Sequence, residues 1–308
     1  MDNSTKGIFN LIQKFPTEEK CIAYLESLRW NEKVICAHCG YDEKIYKFKD
    51  NKTYKCASCK RNFTVLKNTI FERTHVPLTK WFVAIYLFAS HKKGISSHQL
   101  ARDLDITQPN AWFLLHRIRF AMNNSLDFKK VLDGIIEIDE TYVGGKNKNR
   151  HWNKRIPNSQ GRSLADKSAI FGILSRESGV ITFHPKRLPQ KGLQAIIKAK
   201  VSFDSIVNTD EYRGYFGLNK YFDHRVVNHG GYQYANGEFH TNSIEGFWSW
   251  LKRSILGIYH SVSKKYLMKY CREMCFRYNL RNKGNEGIFE ANLFQCFDCR
   301  LTYKDLIS

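Results

Sequence analysis

Four cysteines near the start of the chain are spaced as ligands of one metal ion. Cys36 and Cys39 form one CxxC pair, Cys56 and Cys59 form a second, and 16 residues separate the two pairs. Tetrahedral zinc binds four thiolates in this way, two from each of two tight turns. We therefore predict a zinc ribbon that holds one structural zinc ion, with metal binding supplying most of its folding free energy.

Three acidic residues further along the chain each lie at the edge of a predicted element. In the stretch IIEIDETYVGG, isoleucines alternate with Glu137 and Asp139, so a strand places both acids on one face. Asp210 ends the apolar stretch SIVNTD, and Glu245 opens a predicted helix. Carboxylates are the ligands that magnesium and manganese prefer. We predict that Asp139, Asp210 and Glu245 bind two Mg²⁺ or Mn²⁺ ions in the presence of DNA and support phosphodiester chemistry.

Two cations follow Glu245 in the stretch HTNSIEGFWSWLKR. Lys252 comes seven residues after Glu245, two helical turns along the same face, and Arg253 is its neighbour. A cation in this place would hold a substrate phosphate beside the bound metal. The alternative is a solvated helix face that has no role in binding.

A second set of cysteines lies near the end of the chain. Cys271 and Cys275 are one helical turn apart, and Cys296 and Cys299 form another CxxC pair. A second zinc site is geometrically conceivable, but the 20 residues between the pairs contain no second CxxC turn. Buried cysteines of an ordinary core are the alternative.

The elements that must position these residues can be predicted from the pattern of apolar residues. Residues 17–30 have helical spacing, and residues 78–124 predict three helices. The last two are separated by a short turn, with Ser96 or Ser97 at the start of one helix and Thr107 at the start of the other. This order of helix, short turn and helix predicts a helix-turn-helix that docks in the major groove, with Arg117 and Arg119 as DNA contacts. An ordinary helical core is the alternative.

From residue 131 onward, strands alternate with helices, which predicts one mixed α/β domain. The chain then consists of five segments. They are an N-terminal helical segment (1–30), a zinc ribbon (31–73), a helix-turn-helix-like module (74–130), an α/β catalytic domain (131–285) and a C-terminal tail (286–308).

The balance of charge fits a nucleic-acid partner. The 308 residues include 49 Lys and Arg against 29 Asp and Glu, a formal net charge of +20. Such a balance is typical of proteins that bind nucleic acid or a membrane surface, although a merely basic enzyme is also possible. No apolar stretch reaches the roughly 18 residues of a membrane span, and no secretion signal is visible. We therefore expect no membrane partner.

Several segments together resemble a known family, the DDE transposases of bacterial insertion sequences, and within it the ISXO-type group related to Merlin elements. The resemblance rests on IEIDETYVGG, TDEYRGY, HTNSIEGFWSWLKR and SVSKKYLMKYCREMCFRYNLRN. The ribbon and the following NTIFERTHVPLTKWFVAIYLF are similar to that group as well, so the likeness runs from about residue 17 to 285.

The resemblance implies a ribonuclease-H-like fold with hairpin strands at 135–143, 167–174 and 179–185. It also implies that Asp139, Asp210 and Glu245 are the first, second and third catalytic acids, and that Lys252 is the basic residue that follows them. In this group the third position is sometimes Asn or His. Asn242 and His240 precede Glu245 by three and five residues, so they remain alternatives or helpers at that position. The residues expected to face DNA are His240, Asn242, Lys252 and Arg253.

The function that this resemblance implies is transposition. The protein would bind terminal inverted repeats and target DNA as a dimer or larger homo-oligomer, and it would cut and join DNA strands. We expect it in the bacterial cytoplasm, at the nucleoid. One alternative is a metal-dependent nuclease or resolvase on the same fold. The other is a DNA-binding regulator without catalysis, against which the three intact acids argue.

Overall fold

The computed structural model describes residues 7–123, 130–144, 147, 150–157, 159, 165–184, 190–227 and 239–308. The chain divides into two compact units, and the first of them is made of residues 1–125 together with 280–308. The second unit comprises residues 126–279.

Each of the two units contains both helices and strands. The first unit begins with α1 (Ile8–Lys14), α2 (Glu18–Trp30), β1 (Ile45–Lys47), β2 (Tyr54–Cys56), β3 (Asn62–Phe63), α3 (Leu78–Ser90), α4 (Ser97–Leu104) and α5 (Gln108–Asn123). The second unit holds β4 (Ile135–Val143), β5 (Ser168–Ser175), β6 (Gly179–Phe183), α6 (Gln190–Lys200), β7 (Ile206–Thr209), β8 (Asp223–Val226), α7 (Asn242–Ser254) and α8 (Leu267–Asn279). The chain then returns to the first unit with α9 (Gly284–Gln295) and α10 (Tyr303–Ile307).

The pair α4 and α5 has the predicted helix, turn, helix sequence. Ser96 is the residue that caps α4, because its Oγ accepts the backbone N–H of Gln99 at 3.1 Å. Asp105 ends that helix in the left-handed conformation, at φ 48°. Local side-chain and backbone preferences therefore define the turn before α5.

The predicted C-terminal tail is a wrong assignment, because residues 284–307 form two helices of the first unit. Phe289 of α9 packs its ring against those of Phe82 and Tyr86 on α3, at centroid distances of 6.0 and 6.2 Å. Leu293 and Leu306 are also buried. The apolar residues of this stretch thus complete the core of the first unit.

The second unit is built on a five-stranded mixed sheet in the order β6-β5-β4-β7-β8. Strand β5 runs antiparallel to both β6 and β4, whereas β7 runs parallel to both β4 and β8. The predicted mixed α/β fold and its three hairpin strands are confirmed, with strand ends that differ by one or two residues.

The alternation in β4 sends its side chains into two separate cores. Ile136 and Ile138 are buried on the face covered by α6, with Leu193 and Ile197. The opposite face is covered by α7 and α8, whose buried residues pack on β5 and β6. Glu137 and Asp139 point toward α7, as their hydrogen bonds show. The predicted two-sided pattern is therefore present.

The described part of the chain contains no helix that is long and apolar enough to cross a membrane.

Candidate metal centres and active site

The four cysteines of the ribbon meet at one point. The Sγ atoms of Cys36 and Cys59 are 3.7 Å apart, as are those of Cys39 and Cys56. All four sulfurs lie within 4.8 Å of one another. A tetrahedron of Zn–S bonds of about 2.3 Å has edges of about 3.8 Å, which matches these separations. The four thiols therefore fit a single zinc ion, and no disulfide joins them.

The second cysteine set does not converge in this way. Cys271 and Cys275 belong to the second unit, whereas Cys296 and Cys299 belong to the first. The metal-binding groups found among the described residues include none of them. Cys275 instead contacts the hydroxyl of Thr182 at 3.3 Å. Burial raises the pKa of the Cys275 thiol to about 12. These are core cysteines, and the structure provides no second zinc site among them.

Asp139 and Asp210 are neighbours because of the register between β4 and β7. Ile138 pairs with Thr209, so the next residue on each strand is an aspartate. The carboxylate oxygens of Asp139, Asp210 and Glu140 lie within 4.8 Å of one another. Oxygens on opposite sides of one Mg²⁺ are about 4.2 Å apart. This group of oxygens thus has the chemistry and nearly the spacing that a bound magnesium requires.

Glu140 is a member of this group that the sequence reasoning missed. The hydroxyl of Tyr215, a fully buried side chain, donates to Glu140 Oε1 at 2.6 Å. Burial first, and then the charge of Glu140, raises the pKa of Tyr215 well above its ordinary value. Tyr215 therefore stays protonated and orients the Glu140 carboxylate. Glu140 follows Asp139 directly, and that adjacency was the available signal.

Glu245 approaches the same group from the first turn of α7. Its Oε1 accepts the Thr241 hydroxyl at 3.0 Å. Burial raises the pKa of Asp139 to about 6, and the negative charges of Asp210 and Glu245 add to the rise. Backbone and Trp248 hydrogen bonds act in the opposite direction. Glu245 is therefore close enough to act on Asp139 electrostatically, although its oxygens are not among those of the tighter group.

Glu137 fixes the start of α7. Its buried carboxylate accepts the backbone N–H groups of Ser243 and Ile244 at 2.9 and 3.0 Å. Arg176 Nε donates to the other oxygen at 2.8 Å, and His240 Nδ1 lies 3.4 Å from it. An anion at a helix N-terminus is stabilised by the free N–H groups and the helix dipole. Strand β4 thus holds both Asp139 and the helix that carries Glu245.

A hydrogen bond from Trp248 connects α7 to Asp139. Its Nε1–H donates to Asp139 Oδ2 at 3.0 Å. Gly172, the partner of Asp139 across β4 and β5, makes room for the indole, because a Cβ there would lie 2.5 Å from the ring. The hydrogen bond from Trp248 to Asp139 was not predicted from the sequence.

The predicted DNA contacts of α5 are wrong. Arg117 and Arg119 are only 6% and 1% exposed. The Arg117 guanidinium donates to the backbone oxygens of Glu72 and Leu301, and it lies 4.8 Å from the Phe113 ring centroid. Burial lowers the pKa of Arg117 to about 10. Arg117 connects distant segments of the first unit, and neither of the two buried side chains can reach a duplex.

The other residues expected to face DNA lie around α7. Asn242, Lys252 and Arg253 are exposed. His240 is instead part of the network around Glu137, and its Nδ1 accepts Arg176 Nη2 at 2.9 Å. His240 does not belong to the group of side chains that could hold a metal. The basic residues of α7 remain accessible to an anion.

Comparison with known proteins gives two matches to domain families. Residues 131–279 match the ISXO2-like transposase domain, and residues 16–62 match the transposase zinc-ribbon domain. These two segments include the acids Asp139, Asp210 and Glu245 and the four ribbon cysteines.

Similar proteins are found in Halobacterium salinarum and Haemophilus influenzae. An uncharacterised protein in transposable element ISH50 of Halobacterium salinarum is 28% identical over 289 residues, which is 90% of this chain and 96% of that protein. An uncharacterised transposase-like protein of Haemophilus influenzae is 35% identical over 88 residues, covering 28% of this chain and 70% of that protein. A solved structure of a pre-cleavage Mos1 transpososome is similar over 65% of this chain and 71% of the chain in that structure. The sequence identity is 13% and the TM-score is 0.27.

Proposed function

Because the chain belongs to the ISXO2-like transposases, we propose that it recognises the terminal inverted repeats of an insertion sequence, cuts the DNA there and joins it to a target. One observation carries the proposal. The register of β4 and β7 sets Asp139 beside Asp210, and Glu137 on the same strand holds the helix that presents Glu245. This arrangement concentrates negative charge at one accessible edge of the sheet.

The acids hold the catalytic metal ions in this proposal. Two bound Mg²⁺ or Mn²⁺ ions would supply activation of the attacking oxygen and neutralisation of the leaving oxygen. Asp139 and Asp210 bind them, while Trp248 and Tyr215 orient carboxylates of the site through hydrogen bonds. Hydrolysis breaks the P–O3′ bond at the transposon end. The freed 3′ hydroxyl then attacks a target phosphorus and displaces the target's own 3′ oxygen.

Substrate binding is assigned to exposed polar surfaces of both units. Lys252 and Arg253 contact the phosphates near the acids, and Asn242 lies at the start of the same helix. In the first unit, recognition uses the zinc ribbon and the exposed first turn of α5, including Asn110, in place of the buried arginines. Asparagine is suited to the adenine edge in the major groove. The active assembly is a homo-oligomer, and it works in the bacterial cytoplasm at the nucleoid.

The test measures cutting and joining with purified, zinc-loaded protein. The substrate is a labelled duplex that carries the inverted repeat flanking the coding region, with a supercoiled plasmid as target and Mg²⁺ as cofactor. Asp139→Asn should keep end binding and lose both reactions by at least several orders of magnitude, because metal positioning supplies most of the catalysis. The matched control is Asp204→Asn, an exposed aspartate that precedes β7 and should leave both reactions unchanged.

The same assay separates the alternatives. A wild-type protein that cuts ends without ever joining them would be a nuclease or resolvase. A protein that binds ends but cuts nothing in Mg²⁺ or Mn²⁺ would be a regulator. Lys252→Ala should reduce the rate more mildly than Asp139→Asn, because it removes a phosphate contact and leaves the metal ligands in place.

The third metal ligand is assigned to Glu245, with Glu140 as an auxiliary ligand. Glu245→Gln should abolish joining, whereas Glu140→Gln should reduce it by about 10- to 100-fold, the usual effect of losing a supporting group. Asn242→Ala should leave the rate close to that of the wild type. If Glu245→Gln joins DNA at a near-normal rate, Glu245 is not the third metal ligand. An inactive Glu140→Gln or Asn242→Ala would then identify Glu140 or Asn242 as that ligand.

A further inference from the structure

The three-stranded sheet of the ribbon has one buried and one exposed face. On the buried face, Tyr54 packs on Trp30 and Phe63, with ring centroids 5.1 and 5.7 Å apart. The exposed face bears two aromatic side chains, Tyr46 and Phe48, which are 50% and 42% exposed. A small domain that needs metal to fold gains nothing in stability from leaving two rings in water. Adjacent exposed rings on one face are typical of a binding surface.

The two rings stand side by side on the same face. Tyr46 belongs to β1, and Phe48 continues its line, since the Phe48 N–H donates to the Thr53 carbonyl oxygen at 2.9 Å. Residues two apart on a strand are about 6.6 Å apart and point the same way. Lys55 on β2 lies directly opposite Tyr46 in the register. We call the surface formed by Tyr46, Phe48, Lys49 and Lys55 the hairpin face, and these residues line a shallow groove.

Positive charge surrounds these rings. Residues 44–61 contain seven Lys or Arg and a single acid, Asp50. The Asp50 carboxylate accepts hydrogen bonds within its own turn, from the backbone N–H groups of Lys52 and Thr53 and from the Thr53 hydroxyl. The ion pairs of the described residues do not include Lys49 or Lys55. The hairpin face therefore combines stacking surface with cations available to phosphate.

We propose that the hairpin face binds an unpaired DNA strand, with bases stacked on Tyr46 and Phe48 and phosphates held by Lys49 and Lys55. Aromatic rings on a sheet, flanked by cations, suit single strands because unpaired bases can leave the helix and stack. A second copy of the chain is a poor occupant, because it would bring the same positive charge. This site goes beyond the proposed cutting and joining, since it needs neither the acids nor Mg²⁺.

The test compares two probes with full-length, zinc-loaded protein in buffer without divalent ions. They are a fluorescent 20-nucleotide oligothymidine and a 20-base-pair duplex of random sequence, each followed by anisotropy. The double variant Tyr46→Ala/Phe48→Ala should bind oligothymidine at least tenfold more weakly than the wild type, because each stacked base is worth about fivefold or more. Its affinity for duplex should change by less than about threefold, and it should still hold one zinc.

Two matched variants sharpen the comparison. The exchange Tyr46→Phe/Phe48→Tyr keeps both rings and should keep the affinity for oligothymidine within about twofold. Phe294→Ala removes a ring that is 61% exposed on α9 and should change neither affinity. As a measurement without substitutions, oligonucleotides carrying 5-iododeoxyuridine should photocrosslink to the peptide that contains residues 44–55.

Several results would overturn the proposal. They are unchanged oligothymidine affinity in the alanine double variant, an equal loss for both probes, or crosslinks that map only outside the hairpin face. These outcomes are separable from failure of the proposed function. Asp139→Asn should bind oligothymidine as tightly as the wild type. If the hairpin face does not bind single strands, the cutting and joining assay still measures the proposed activity independently.

Discussion

At the scale of single residues, the site holds carboxylates where their own charge is unfavourable. Asp139 is half-buried, close to Asp210 and Glu245, and its pKa is raised by burial and by these charges to about 6. A bound divalent ion relieves this repulsion, and so does a proton. Repulsion between these carboxylates destabilises the folded protein, and binding of a cation removes this destabilisation.

Asp139→Asn should stabilise the second unit in Mg²⁺-free buffer at pH 8 and have almost no effect at pH 3. The pKa of Asp139 is higher in the folded chain than its ordinary 3.8, so its contribution to stability is lost as pH rises through about 6. Removing the charge should recover about 1–3 kcal/mol at pH 8. Thermal unfolding with Asp204→Asn as control measures this, and a variant less stable than wild type at pH 8 would contradict it.

At the scale of elements, α7 depends on a charge that belongs to another strand. Glu137 joins β4 to the first turn of α7 through two backbone N–H groups, and the Arg176 guanidinium balances its charge. A buried carboxylate is costly unless donors surround it. Three donors surround this one, namely the two backbone N–H groups and the Arg176 guanidinium, so Glu137 forms a rigid link between β4 and α7.

Glu137→Gln should destabilise the second unit and slow joining, while DNA ends are still bound. The amide has one acceptor oxygen, and its NH₂ group would face the N–H groups of Ser243 and Ile244 or the guanidinium of Arg176. The expected loss is about 2–4 kcal/mol in the free energy of unfolding. Denaturant titration gives this value. Glu177→Gln, at an exposed glutamate in the turn before β6, is the control and should be near neutral.

The ribbon is the second element whose behaviour can be predicted. Cys56→Ser should release zinc and unfold β1, β2 and β3, because zinc binding supplies about 10–16 kcal/mol to domains of this kind. The second unit should remain folded. Zinc content and limited proteolysis report on the two units separately, and Ser58→Ala in the same turn should retain the metal. One zinc per chain retained in Cys56→Ser would exclude the four-cysteine site.

At the scale of the whole molecule, net charge governs encounter with DNA. The chain carries a formal charge of +20. Its affinity for random duplex should therefore fall by about a thousandfold or more between 50 and 200 mM salt, as counterions compete for the phosphates. Anisotropy titrations at four salt concentrations give the slope. A slope near zero would mean that the basic residues contribute little to binding.

Sequence patterns predicted the second unit better than the first. Alternation in β4 and helical spacing in α7 predict the strand that carries Asp139 and the helix that carries Glu245, because both signals are local. The arrangement of the fold and the pairing with Asp210 were implied by the family resemblance. The role of Glu137 was not predictable, since its partners lie up to 107 residues away along the chain. The error at Arg117 arose because charge in a helix was taken to mean exposure, whereas its partners come from distant segments.

The closing of the first unit by α9 and α10 has a consequence for the order of events during synthesis. A ribosome releases α3 and α5 early, but their contacts with Phe289 and with the carbonyl group of Leu301 form only after the last residues of the chain emerge. The second unit is contiguous and can fold as it emerges. Under the proposed function, the second unit, which carries Asp139, Asp210 and Glu245, can therefore fold before the unit assigned to DNA recognition is complete.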